Sequence, residues 1–293
     1  MNALHTTELN SFYHYPQLEL DYTTEQETLW CYMAPQPRPC FNPVLLDSIR
    51  QLQNALDESG SAIAPENDHH IRYLVLASKA PGVFNLGGDL DLFQSLIARK
   101  DRAGLQAYAH ACIDVLFHTI NMSTSITTIS LVQGKALGGG FEAALSSSIL
   151  VAERSAELGL PEILFNLFPG MGAYSLLARR IGPRLAERLI TSGKLYGAEE
   201  LYEMGVVDIL AEDGHGHETV EKTIRQHQRN RNGLQAIQRV RQFYDPLSFA
   251  ELSGITDIWV DAACHLSPRD LRMMNKLVSA QNHLQTQPIV TAA

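Results

Sequence analysis

Between residues 18 and 152 the chain alternates short apolar runs with longer stretches whose apolar positions recur at helical spacing. Residues 18–22 and 29–33 are β-prone runs separated by Thr-Thr-Glu-Gln-Glu, which predicts a strand pair. Prolines 35, 37 and 39 then break regular structure. Asn42-Pro43 fits a helix start, with Asn as the cap and Pro in the first turn. Val44, Leu45, Ile49, Leu52 and Leu56 form the apolar stripe of that helix. Residues 60–70 read as a loop. Tyr73-Leu74-Val75-Leu76-Ala77 is a continuous apolar run, as expected of a strand covered on both faces. A glycine-bearing turn over 81–89 leads into helical patterns at 90–97 and 105–120. Residues 126–132 predict the next strand. Gly138-Gly139-Gly140 turn the chain into another helix, and 149–152 are again strand-like.

Strands that alternate with helices predict a layered α/β fold, with ligands gathered where strand gives way to helix. From residue 179 the pattern is mostly helical. Residues 195–203 fit a short helix, Gly205-Val206-Val207-Asp208 a return strand, and 213–217 a linker. Residues 221–284 read as a helical C-terminal segment. The expected organisation is a loosely ordered N-terminus over 1–15, a core with the site over 16–214, and a helical region over 215–293.

Composition narrows the function classes. With 293 residues, 45% of them hydrophobic, the chain can bury a core that needs no staples. The four cysteines, Cys31, Cys40, Cys112 and Cys264, are scattered and fit free thiols of a reducing compartment. No cationic start with a following apolar run is present, and no run is long enough to span a bilayer, so a cytoplasmic protein off the membrane is expected. A net charge of −9 argues against a nucleic-acid partner. Charge is uneven, however. Lys222, Arg225, Arg229, Arg231, Arg239 and Arg241 face a single acid, Glu221, over 221–241. That stretch is either a solvated helix face or a dock for an acidic partner. His215 and His217 have no further ligands nearby in sequence, so neither a metal nor a cofactor is expected.

The chemistry concentrates in two glycine turns and two glutamates. Leu86-Gly87-Gly88-Asp89 follows a strand-like run, and Asp89 can cap the next helix. Gly138-Gly139-Gly140-Phe141-Glu142 delivers one carboxylate at a helix start. Gly159-Leu160-Pro161-Glu162 delivers a second inside an apolar stretch, where burial has a cost that function would explain. Two N–H groups from separate loops can meet on one oxygen, and two glutamates beside it can move protons. The substrate class this fits is a carbonyl or thioester.

Those motifs, with Pro169-Gly170-Met171-Gly172, resemble the crotonase (enoyl-CoA hydratase/isomerase) superfamily across 73–208. In finer wording, Phe84 to Leu90, Ala136 to Leu145 and Gly159 to Ser175 resemble the diffusible-signal-factor (DSF) synthases of the RpfF type. Arg38-Pro39-Cys40-Phe41-Asn42 and Ile255-Thr256-Asp257-Ile258-Trp259-Val260 resemble that subfamily too. The resemblance implies a spiral of ββα units with a helical C-terminal region that helps build a homotrimer or a dimer of trimers. It puts an oxyanion hole on the N–H groups of Gly88 and Gly139 and the catalytic carboxylates on Glu142 and Glu162. Glu162 is preferred at the α-carbon and Glu142 at the leaving hydroxyl.

The subfamily dehydrates a 3-hydroxyacyl chain on acyl carrier protein to a cis-2-enoyl thioester and releases the free acid as a signal. An acyl-CoA substrate remains open. Leu86, Gly87, Asp89, Leu137, Phe141, Met171 and Trp259 are the expected substrate contacts, with Leu164 and Leu277 as further tunnel candidates. A signal-sensor protein is a regulatory partner that the resemblance implies. Two alternatives stand beside this reading. One is an ordinary enoyl-CoA hydratase or isomerase, against which the Leu-Gly-Gly-Asp turn leans, since Ala-Gly-Ala-Asp is usual there. The other is a chiefly regulatory binding partner, against which the retained glutamates speak.

Overall fold

A computed structural model describes residues 15–64, 69–122 and 126–284. The chain opens with β1 (Leu18–Thr23) and β2 (Thr28–Met33), then α1 (Pro43–Glu58), β3 (Ala62–Ala64) and β4 (His69–His70). Next come β5 (Tyr73–Ser78), β6 (Val83–Asn85), α2 (Leu90–Ala98) and α3 (Arg102–Met122). β7 (Thr127–Val132), β8 (Lys135–Leu137) and α4 (Gly139–Leu145) follow. β9 (Ile149–Glu153) and β10 (Glu157–Gly159) lead to a 3-10 turn, Pro161–Phe165. The remainder is α5 (Ala173–Ile181), α6 (Pro183–Ser192), β11 (Leu195–Gly197), α7 (Ala198–Glu203), β12 (Ile209–Ala211), α8 (Gly216–Arg229), α9 (Arg231–Tyr244), α10 (Phe249–Cys264) and α11 (Pro268–Leu284).

Six strands form the larger sheet, in the order β1-β2-β5-β7-β9-β12. β1 and β2 pair antiparallel, and every later pair in this sheet is parallel. A second sheet runs β11-β10-β8-β6. Three times, therefore, the chain leaves a long strand of the first sheet, adds a short strand to the second, and enters a helical turn. These steps are β5–β6–α2, β7–β8–α4 and β9–β10–3-10. The result is an α/β spiral of ββα units with a helical C-terminal region. Because β6, β8 and β10 are neighbours, their exits lie side by side.

The continuous apolar runs are explained by covers on both faces of the larger sheet. Tyr73, Val75 and Ala77 pack with Val220 and Ile224 of α8, whereas Leu74 belongs to the core with Leu45, Ile49 and Ile113 of α1 and α3. Asn42 caps α1, its side chain accepting the Leu45 N–H at 2.9 Å, with Pro43 as the first helical residue.

Several sequence expectations are corrected. Val44 is 47% exposed and lies off the buried stripe of α1. Part of 60–70 pairs as β3 and β4. Residues 195–197 form β11 before the helix begins at Ala198. The return strand falls at Ile209–Ala211, just after the residues expected to form it. Asp208 instead closes the approach to that strand, accepting the Leu150 N–H at 2.7 Å and pairing with Arg180. The linker at 213–217 is cut short by α8, and His217 stacks on Trp30 with ring centroids 5.0 Å apart. The expectation for the N-terminus lies outside the described residues apart from Tyr15, which is buried.

Cys31, Cys40 and Cys112 are buried, and Cys264 is exposed. No helix among the described residues is long and apolar enough to cross a membrane. None of the described His, Cys, Asp and Glu side chains cluster in a way that could hold a metal ion.

Candidate active site

Three strand exits build the site. After β6, the Leu86 N–H donates to Pro39 O at 2.7 Å and the Gly87 N–H to Asn85 Oδ1 at 2.8 Å. The Asp89 N–H donates to Tyr108 Oη at 2.9 Å. The Gly88 N–H alone in this turn has no protein acceptor among the described residues. Glycine is required here: Gly87 has φ +93°, and a Cβ on it would lie 2.7 Å from Leu137 O.

After β8, the Gly138 N–H donates to Gly159 O at 2.9 Å, and α4 starts at Gly139. First-turn N–H groups of a helix have no acceptor within it. A Cβ on Gly139 would lie 3.5 Å from the Gly88 nitrogen, so the two turns touch backbone to backbone. Two uncommitted N–H groups from distant segments thus meet at one place.

Glu142 is 1% exposed. Its Oε1 accepts the N–H groups of Met171 and Ala173, both at 2.8 Å. Burial pushes its pKa up to about 7, against the pull of the backbone donors of Ala173, Met171 and Gly172. The loop that supplies those donors is braced from α10. Thr256 Oγ1 donates to Gly170 O at 3.0 Å, and any Cβ on Gly170 would enter the indole of Trp259.

Glu162 lies in the first turn of the 3-10 segment after β10, its carboxyl packed against the Gly138 backbone. Its Oε2 is enclosed without a partner, although the residue as a whole borders the cavity. Burial, and then the charge of Glu142, push its pKa up to about 8. Two raised carboxyls in one site, one of them feeling the other's charge, take up one proton between them over an intermediate pH range.

Both glutamates, Gly87, Gly88 and Gly139 border one cavity of about 230 Å³ with mostly apolar walls. Of the expected contacts, Leu86, Leu137, Leu164, Met171, Trp259 and Leu277 also line it. Two do not. Phe141 is 0% exposed and packs within the main core. Asp89 is spent on structure: it caps α2 through the Leu92 N–H and pairs with Arg38. The sequence reading missed Leu90, Phe93, Tyr108, Cys112, Phe165 and Leu167. They sit in ordinary amphipathic or apolar stretches, where nothing separates a cavity wall from a core residue. A smaller cavity of about 40 Å³ between α1 and α3 shares Cys112 and Met171 with the first.

The spiral is the crotonase fold. The chain belongs to the enoyl-CoA hydratase/isomerase family, whose sequence model matches residues 46–246. It is 28% identical over 247 residues to a probable mitochondrial enoyl-CoA hydratase 2 of Arabidopsis thaliana, covering 83% of this chain and 73% of that one. It is 30% identical over 187 residues to the mitochondrial methylglutaconyl-CoA hydratase of Homo sapiens, covering 62% of this chain and 51% of that one. The chain thus spans about half the length of the human relative. Among solved structures, the human mitochondrial delta3-delta2-enoyl-CoA isomerase superposes with a TM-score of 0.72 at 18% identity, over 92% of this chain and 99% of that one. At that identity the likeness speaks for the fold alone. The protein is an enzyme of the enoyl-CoA hydratase/isomerase type.

Proposed function

We propose that the protein is a DSF-family signal synthase. It dehydrates a 3-hydroxyacyl thioester on acyl carrier protein to a cis-2-enoyl thioester and hydrolyses that to the free acid. One observation carries this reading beyond the family. The two segments outside the common core that resemble DSF synthases are the two that brace the site. Residues 38–42 hold the Gly88 turn through Pro39 and Phe41, and residues 255–260 hold the Glu142 loop through Thr256 and Trp259.

The chemistry follows from the geometry. The N–H groups of Gly88 and Gly139 hold the thioester oxygen, where negative charge develops as the α-proton leaves; one such donor is typically worth about 10²–10³ in rate. Glu162 takes the α-proton. Glu142 gives a proton to the hydroxyl, which departs as water. Charge on Glu142 and proton on Glu162 is the reverse distribution, the one that addition of water across the double bond would use. Both pKa values are raised and lie close together, so exchanging that proton costs little, on the order of 1 kcal/mol. For hydrolysis a glutamate takes a proton from water as its oxygen attacks the thioester carbon. The same two N–H groups hold the tetrahedral oxyanion, and the C–S bond breaks as the glutamate passes its proton to the leaving sulfur, releasing the thiol and the free acid.

The basic faces of α8 and α9, with Lys222, Arg225 and Arg229 exposed on the first, suit an acidic carrier protein. A signal-sensor protein remains a proposed regulatory partner. The ordinary hydratase is the second reading, and the names of the curated relatives favour it. The decisive experiment supplies 3-hydroxydodecanoyl carrier protein and analyses products by mass spectrometry. Free cis-2-enoic acid supports the synthase. Reversible hydration of trans-2-enoyl-CoA with no free acid establishes the ordinary hydratase in its place. Normal signal output from cells carrying Glu142→Gln and Glu162→Gln would remove both enzymatic readings in favour of the regulatory one.

A further inference from the structure

The peptide that joins Gly87 to Gly88 carries the uncommitted N–H, and its own carbonyl is held. The Phe41 N–H donates to Gly87 O at 2.8 Å. A trans peptide is planar, with N–H and C=O on opposite edges. Fixing the carbonyl toward Phe41 therefore aims the Gly88 N–H the other way. Yet a Gly-Gly turn is the most mobile backbone available, and Phe41 meets Gly88 only as an isolated bridge. Something must hold Phe41.

Tyr108 of α3 does so. It is buried, its Oη donates to Phe41 O, and the same oxygen accepts the Asp89 N–H. One hydroxyl thus ties the strand-like segment of Phe41 to the residue after Gly88. Phe93 holds the ring in turn, edge-on with centroids 5.1 Å apart, and Phe93 itself rests on Trp259. Burial raises the phenol well above its ordinary pKa, so the bridge keeps its proton at every working pH.

We propose that Tyr108 is a positioning residue that aims the Gly88 N–H. It acts by fixing position: the Tyr108 O–H holds the Phe41 C=O, and the Phe41 N–H holds the Gly87 C=O, whose peptide turns the Gly88 N–H toward substrate oxygen. The inference rests on the reading that Gly88 and Gly139 hold the thioester oxygen.

The test is Tyr108→Phe, which keeps the ring and removes only Oη. The probe is a ketone analogue of dodecanoyl-CoA with methylene in place of sulfur, which cannot be hydrolysed. Its C=O stretch is read by infrared difference spectroscopy. Wild type should shift that band to lower frequency. Tyr108→Phe should lose much of the shift, lower kcat about tenfold to a hundredfold, and leave KM within about twofold. The pH limbs should stay in place, because neither glutamate loses a partner. An unchanged carbonyl shift in a folded Tyr108→Phe protein overturns the inference, whatever the rate. If the variant does not fold, Phe93→Leu loosens the same ring and should give a smaller loss of the shift; no loss there is equally adverse. If wild type itself leaves the ketone band unmoved, the oxyanion-hole reading fails along with Tyr108.

Discussion

Glu162 shows what a single side chain reveals and hides. Its place after Gly-Leu-Pro, inside an apolar stretch, marked it as functional in the sequence. The enclosed Oε2 and the upward pull from Glu142 were not legible there, because they depend on which other carboxyl the fold brings beside it. With pKa values near 7 and 8, the pair carries a single proton only in a narrow window. kcat/KM should follow a bell centred between those values, falling on the acid side as the second proton binds and on the alkaline side as the last is lost. Either glutamine variant should lose about 10²-fold or more in rate and abolish the bell.

Stability has its own sign. An unfolded glutamate titrates near 4.3. Between there and about 8 the unfolded chain releases a proton that folded Glu162 keeps, so stability falls as pH rises through that range and is level above it. Glu162→Gln removes this penalty. Its Tm should exceed wild type at pH 9, and the difference should shrink toward pH 5; a constant difference across the range would contradict burial as the cause of the shift.

Short elements position these side chains, and they were the hardest to read. The run at 73–77 was plain, since a strand covered on both faces is apolar throughout, and 126–132 was plain from its β-branched residues. β6 and β8 span only three residues each, Val83–Asn85 and Lys135–Leu137, too few for a period to register. The first passed as turn and the second was left unassigned, yet their register sets Gly88 beside Gly139. Gly138 is where this is most exposed to test. It has φ +50°, and a side chain on it would strike Glu162 Oε1. Gly138→Ala should lower stability by roughly 1–3 kcal/mol from backbone strain and cost more in kcat than in KM, because it displaces the Glu162 carboxyl.

Thr256 tests the brace from α10. Thr256→Val keeps the shape but leaves Gly170 O without its donor, at a cost of about 1–3 kcal/mol. If that loop carries the N–H groups that hold Glu142 down, the acid limb of the pH profile should move upward in this variant. An acid limb that stays in place would show that the loop holds without help from α10.

At the scale of the whole molecule, the sequence resemblance announced the spiral and the helical end, but not which helix faces would stay uncovered. An apolar stripe reads the same whether it packs inward or waits for a partner. α9 has no buried residue, and it turns Ile237, Val240 and Tyr244 outward at helical spacing, with Phe243 beside them. Phe243 is 91% exposed and Tyr244 87%. A contiguous apolar face on a chain of charge −9 is a contact surface rather than the scatter of single apolar residues that any surface carries. The trimer that the family resemblance implies would cover it. Sedimentation should therefore give three or six times the 32.5 kDa chain mass. Val240→Asp with Phe243→Asp should release monomers without lowering the stability of the core, because neither side chain contributes to it. A wild-type monomer at micromolar concentration, or an assembly indifferent to both substitutions, would assign this face to some other partner.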